Sequence, residues 1–144
     1  PEHKGRDGCR TPFPWNSEEP NQGFNQGAEP WLSGTSPICL DQAEEMQEST
    51  LNLLREMLKI RKSEPALQSW SYRLHLLQED CLIFQRETDQ QSITVAANFS
   101  VVEQRLDQDF SSCSDLTPKT MSRRGRVDGT GLVLPPSGFF IAKH

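Results

Sequence analysis

The stretch Gly5-Arg6-Asp7-Gly8-Cys9-Arg10-Thr11-Pro12-Phe13-Pro14-Trp15 decides how this chain is read. It sets two arginines, two prolines, two glycines and two aromatic rings within eleven residues. No apolar period of a helix or a strand runs through it. Pro12 and Pro14 fix their own φ angles and stiffen the chain after Arg10. A guanidinium carries five donors in a rigid fork, which suits carboxylates and sugar hydroxyls alike. The segment therefore reads as a rigid loop that carries charge into a site, and no self-contained fold is expected to start this way. Two roles stay open for Arg6 and Arg10: they pair with acids to pin the loop, or they face a ligand.

Outward from that stretch, residues 1 to about 40 keep the same character. Six of the ten prolines and five of the nine glycines fall there. Asn21-Gln22-Gly23, Asn25-Gln26-Gly27 and Ser33-Gly34 are turn signals. An ordered loop this long is uncommon in a compact domain unless it is functional. Phe13, Trp15, Phe24, Trp31 and Leu32 argue against disorder, since disordered segments are poor in aromatics. These rings need a surface that the region does not itself supply.

The next region, from about 44 to 62, predicts one helix. Leu51, Leu54 and Leu58 recur at helical spacing, with Leu53, Met57 and Ile60 beside them. Glu44, Glu45 and Glu48 lie early and Arg55, Lys59, Arg61 and Lys62 late, an order that complements the helix dipole. Ser49 and Thr50 offer a later N-cap. Pro65 stops the helix and pushes Glu64 out of helical geometry.

From about 66 onward the pattern changes to all-β. Tyr72, Leu74 and Leu76 alternate with Arg73 and His75, and Cys81 to Glu87 is a short strand. Ile93, Val95, Ala97 and Phe99 alternate with Ser92, Thr94, Ala96 and Asn98, after a hairpin turn at Asp89-Gln90-Gln91. Val101 to Leu106, Leu132 to Leu134 and Phe139 to Ala142 complete the expected strands. Short strands with regular turn signals argue for an antiparallel sandwich.

Several kinds of chemistry find no support. The chain has 15 basic and 20 acidic side chains, a net charge of -5. Arg123-Arg124-Gly125-Arg126 is diluted by Asp115 and Asp128, so it reads as a solvated loop and not a nucleic-acid interface. Cys9, Cys39, Cys81 and Cys113 form no CxxC pair and are expected as thiols. His3, His75 and His144 do not complete a zinc set. His75 falls on the polar side of a strand, where a surface histidine is expected. Glu18-Glu19 reads as a solvated turn. Asn98-Phe99-Ser100 matches a glycosylation acceptor pattern but falls inside a strand. No run approaches the ~20 apolar residues a membrane span needs, and no signal peptide is visible.

The opening stretch also resembles the RDGxRTPMxW loop of α-glucosidases in glycoside hydrolase family 13, the α-amylase superfamily. The likeness continues in order. Pro20-Asn21-Gln22-Gly23-Phe24 resembles the family's PNAGF element, and Pro30-Trp31-Leu32 its PWLP element. Leu51 to Lys62 with Glu64-Pro65-Ala66-Leu67 is similar to the last barrel helix and the "LRKxxPAL" after it. Ala96-Ala97-Asn98-Phe99-Ser100 resembles the "xxNFS" strand, and Leu132 to Phe139 the closing hairpin.

The resemblance implies a fragment of a (β/α)8 TIM barrel, its last βα loop and last helix, followed by an all-β antiparallel C-terminal sandwich. Residues 1–65 would be the end of the catalytic barrel and 66–144 the C-terminal domain. It implies the C-terminal portion of an α-glucosidase of the oligo-1,6-glucosidase type, retaining and acting on short α-glucosides. The aspartate nucleophile, glutamate acid/base and second aspartate of the family lie on earlier strands, so no catalytic residue matches here. Arg10 resembles the arginine that reaches the non-reducing-end glucose; Arg6 is a weaker match that would line the next subsite. Phe13 stands where the family often has Met, while Pro14 matches bacterial members.

The implied partners are the N-terminal barrel portion, as a separate chain, and an α-glucoside; no nucleic acid or membrane is expected. No cofactor is expected, although the barrel could bind a structural Ca2+. A bacterial-type cytoplasmic location is favoured, with secretion left open. Two other readings stand beside this one: a non-catalytic relative of the amino-acid-transporter heavy chains, and a free-standing sugar-binding sandwich.

Overall fold

The computed structural model describes residues 5, 7–32, 34, 36–78 and 80–144. Its contacts divide the chain into two compact units, Pro1–Asn52 and Leu53–His144.

The first unit is built mostly from loop. Two short 3-10 turns, Asp7–Cys9 and Pro20–Gly23, interrupt it. Helix α1 (Leu40–Glu45) follows, capped at Cys39, whose backbone N–H donates to Gln42 Oε1 at 3.0 Å. The single helix expected from residue 44 is thus two helices, because α2 (Thr50–Ser63) starts afresh. Ser49 Oγ caps it by accepting the Asn52 N–H at 3.1 Å. The Asn52 amide nitrogen in turn lies 3.1 Å from Glu44 O and 2.9 Å from Met46 O. It thereby satisfies carbonyls that the end of α1 leaves open. The periodicity of the leucines was sound; the polar caps between the two helices decide where the chain breaks.

As the sequence implies, α2 ends before Glu64, which is extended at φ -109 and ψ 104, and Pro65 opens a one-turn helix α3 (Pro65–Gln68).

The second unit carries two antiparallel sheets. Strands β1 (Arg73–Gln78), β2 (Cys81–Thr88) and β3 (Gln91–Asn98) form a meander. Thr88 pairs with Gln91, so Asp89 and Gln90 alone make the expected turn. β4 (Gln104–Leu106), β5 (Ser114–Asp115), β6 (Arg126–Asp128), β7 (Gly131–Leu134) and β8 (Phe139–Lys143) follow. The five-stranded sheet runs β1-β2-β3-β8-β5 and the three-stranded one β4-β7-β6. Val101 and Val102 are exposed and lie before β4, which is shorter than expected. β5 and β6 were not anticipated, since two or three residues carry no readable alternation.

The two sheets share one apolar cluster. Ile83, Ala96 and Phe140 from the first meet Leu106, Leu132 and Leu134 from the second. The opposite face of the five-stranded sheet is covered as well. There Ile93, Val95 and Ile141 pack with Ala66 and Leu67 of α3. Two covered faces explain the unbroken apolar run Phe139-Phe140-Ile141-Ala142. They also correct the expected alternation in β3: its "polar" positions Thr94, Ala96 and Asn98 are buried, while Phe99 lies beyond the strand and is exposed. Each fully buried aliphatic side chain here contributes roughly 1.5–3 kcal/mol.

Candidate functional site

The opening loop is held by backbone groups that a helix and a side chain complete. The Leu40 N–H donates to Pro14 O at 2.9 Å and the Asp41 N–H to Trp15 O at 3.2 Å. Loop carbonyls thus take up donors that the first turn of α1 cannot use internally. The N–H groups of Trp15 and Asn16 both donate to Gln22 O, at 2.8 and 3.1 Å.

Gln22 then clasps the far arm of the loop. Its side-chain Nε2 donates to Ser36 O at 2.9 Å and its Oε1 accepts the Ser36 N–H at 3.0 Å. Ser17 donates its N–H (3.0 Å) and hydroxyl (2.7 Å) to Asp41 Oδ2. Those two bonds hold the Asp41 carboxyl below the usual carboxylate range.

The clasp sits on left-handed backbone. Asn21 and Gln22 have φ of 50 and 53, and Gly23 has φ 74. Asparagine and glycine tolerate this left-handed region, whereas glutamine there is uncommon. A Cβ on Gly23 would also stand 3.2 Å from Trp15 Cβ. Strain of this kind, over-determined by hydrogen bonds, gathers at functional sites.

Phe24 follows directly, and with Arg10, Pro12, Pro30, Trp31 and Leu32 it lines a cavity of about 120 Å³. Arg10 leaves the first 3-10 turn, its N–H bonded to Asp7 O at 3.0 Å. Its side chain is exposed, and among the described residues no acid pairs with it. Phe13 and Trp15 stack beside this segment with ring centroids 4.6 Å apart, tilted 55°, each about half exposed. Arg6, the other candidate, lies outside the described residues. The sequence marked the aromatic rings as lacking a surface; it did not pair Trp31 and Phe24 with Arg10.

Elsewhere the described residues hold weaker chemical candidates. His75 is exposed, its Nε2 2.7 Å from Gln85 Oε1, as a surface histidine should be. Cys113 Sγ stands 3.2 Å from His144 Nδ1 and 3.8 Å from Nε2, hence over the ring face and not along a nitrogen lone pair. Burial, and secondarily Asp109, pushes the Cys113 thiol up, so no activated nucleophile results. No disulfide forms among the described cysteines, and among the described residues no cluster of three or more His, Cys, Asp or Glu could hold a metal. Glu18 and Glu19 are exposed in a turn.

In the arginine loop Arg123 and Arg126 are exposed, as a solvated loop implies, while Arg124 is half-buried. Arg124 pairs with Asp115 at 2.7 Å and Arg126 meets Glu103 at 3.5 Å. Gly125 between them packs so closely that a Cβ would come within 2.7 Å of Leu134 Cδ2. Asn98 is buried. Its amide nitrogen lies 2.8 Å from Val102 O and 3.0 Å from Pro135 O, and its Oδ1 accepts from Ser100 N and Oγ at 2.9 and 2.8 Å. A side chain engaged in this way is no glycan acceptor. A second, larger groove of about 470 Å³ is apolar, walled by residues such as Leu54, Leu58, Phe84 and Ile141. No helix among the described residues is long and apolar enough to cross a membrane.

A family model, "Alpha amylase, catalytic domain", matches residues 1–69. A probable oligo-1,6-glucosidase 2 of Bacillus subtilis is 34% identical over 67% of this chain. A probable alpha-glucosidase of Rhizobium meliloti is 45% identical over 46% of it. Among solved structures, the alpha-glucosyl transfer enzyme XgtA superposes with a TM-score of 0.79 at 31% identity over 99% of the chain. A family GH13_31 enzyme gives 0.76 at 25% identity over 94%. The chain spans 18% of the Bacillus subtilis protein's length and 27% of the XgtA chain.

Proposed function

Because this chain belongs to the α-amylase family, glycoside hydrolase family 13, we propose that it forms part of a retaining α-glucosidase acting on short α-glucosides. In this reading residues 1–65 close the barrel, supplying its eighth βα loop and last helix. Residues 66–144 form the β-sandwich appended to it. Active sites of such barrels lie at the C-terminal face of the strands, among the βα loops. The rest of the barrel is the partner of this chain and carries the two carboxyl groups that glycosyl transfer with retention requires, about 5 Å apart. Without it the chain has no hydrolytic activity.

One observation carries the proposal: Arg10, unpaired with any acid among the described residues, lines a small aromatic cavity in a strained, tightly tied loop. The fork fits the hydroxyls of a terminal glucose, whose orientation it would fix against the carboxylates of the barrel. Arg6 would line the neighbouring subsite.

The test is turnover of an α-glucoside by the complete protein, with wild-type Arg10 and with Arg10→Lys. We expect activity in the wild type and a loss of about 100-fold in kcat/KM for the variant, since lysine lacks the fork. A wild-type protein that turns over no α-glucoside would sink the reading and favour the heavy-chain class.

A further inference from the structure

The Arg10 cavity has a second functional side chain that neither the family match nor the sequence motif assigns. We propose that Trp31, backed by Phe24, is a stacking platform for the second sugar ring of the substrate, and so a specificity-determining residue for what lies beyond the scissile bond. This rests on the α-glucosidase reading above. Trp31 is 80% exposed and Phe24 49%, yet both face a cavity that Arg10 also lines. Both rings thus lie beside a guanidinium with little cover from their own unit. Their chemistry matches a pyranose, which presents C–H groups on one face and hydroxyls at its rim.

The position relative to Arg10 selects which ring is bound. If Arg10 holds the terminal glucose, a platform in the same cavity meets the ring next to it. The platform is also held firmly. Pro30 precedes Trp31 and restricts the backbone of its neighbour Glu29. Gly34 lies against Thr11, where a Cβ would come within 2.9 Å of Thr11 Cβ. The Gln22–Ser36 clasp fixes the same arm to the Phe24 turn. A ring pre-set in this way binds without much ordering cost.

The experiment compares two substrates on the complete protein: a disaccharide α-glucoside, and α-glucosyl fluoride, which has no second ring. Trp31→Ala should raise KM for the disaccharide about tenfold with kcat nearly unchanged, and leave the fluoride untouched. Trp31→Phe should restore most of the disaccharide KM. Arg10→Lys should impair both substrates equally. Equal loss on both substrates with Trp31→Ala, or no loss on either, overturns the platform. If Trp31→Ala acts on the disaccharide alone while Arg10→Lys acts on neither, the platform stands and the role of Arg10 falls. A wild type inactive on both substrates overturns both proposals.

Discussion

The two units reach order by different physics. Residues 53–144 rely on buried apolar area: Ile83, Ile93, Leu132 and Leu134 are fully inaccessible and belong to clusters on both faces of one sheet. Residues 1–52 bury almost no large side chain. Cys39 is their only buried apolar residue among those described, while Phe13, Trp15, Phe24 and Trp31 stay half to mostly exposed. This unit is tied by polar bonds instead, from Gln22, Ser17 and Asn52. A core built from non-directional apolar contacts sequesters its large side chains, whereas a loop held by directional bonds is tied down while its rings and its guanidinium stay uncovered within the unit.

The largest expected effect lies in the sheet unit. Ile83→Ala removes a wholly buried side chain between the two sheets and should cost about 2–5 kcal/mol, read as a lower midpoint in urea unfolding. A change under about 1 kcal/mol would mean that the shared core is not what holds the sheets.

Asn98→Ala tests the one polar centre inside that unit. It strands the carbonyls of Val102 and Pro135 and the donors of Ser100, at roughly 1–3 kcal/mol for the groups left unpaired. Glycan analysis of secreted material should find Asn98 unmodified.

For the loop unit, Gln22→Ala should cut amide-exchange protection of residues 14–40 roughly tenfold, with sheet amides unchanged. Spreading of the effect into β2 and β3 would show that the units are not separately ordered.

The smallest effect concerns acid. Thr120 donates its hydroxyl and its N–H to Glu56, holding that carboxyl below its ordinary value of 4.5. A depressed carboxyl contributes stability that is fully present above the unfolded value and fades as pH falls toward the folded one. Glu56→Gln should therefore be less stable than wild type at pH 7, and the gap should close progressively below about pH 4.5. A gap that stays constant down to pH 2 would mean that hydrogen-bond geometry, not ionisation, matters there.

How legible these features were depended on whether their cause was local. Strands β2, β3, β7 and β8 were readable because short apolar, β-branched and aromatic stretches bounded by turn residues are encoded over neighbouring residues. The pair β5 and β6 was not, because two or three residues are too few to show an alternation. The break before Thr50 hid among good helix formers, and only the caps from Ser49 and Asn52 reveal it. The burial of Asn98 was invisible for a related reason: its partners come from Leu134 and Pro135, far along the chain.

At the site, Arg10 was legible and its company was not. Its chemistry is a property of one side chain in a proline-stiffened segment, and the ordered motifs around it carried the family. That Trp31 and Phe24 share a cavity with it depends on left-handed backbone at Asn21 and Gln22 and on a side-chain clasp to Ser36. By itself the sequence determined the family, the strand-rich second half and the arginine worth testing, because these follow from residue type and local period. Which rings line a cavity with that arginine, and that no acid among the described residues pairs with it, came from the tertiary structure alone, because such groupings depend on long-range hydrogen bonds that no local pattern encodes.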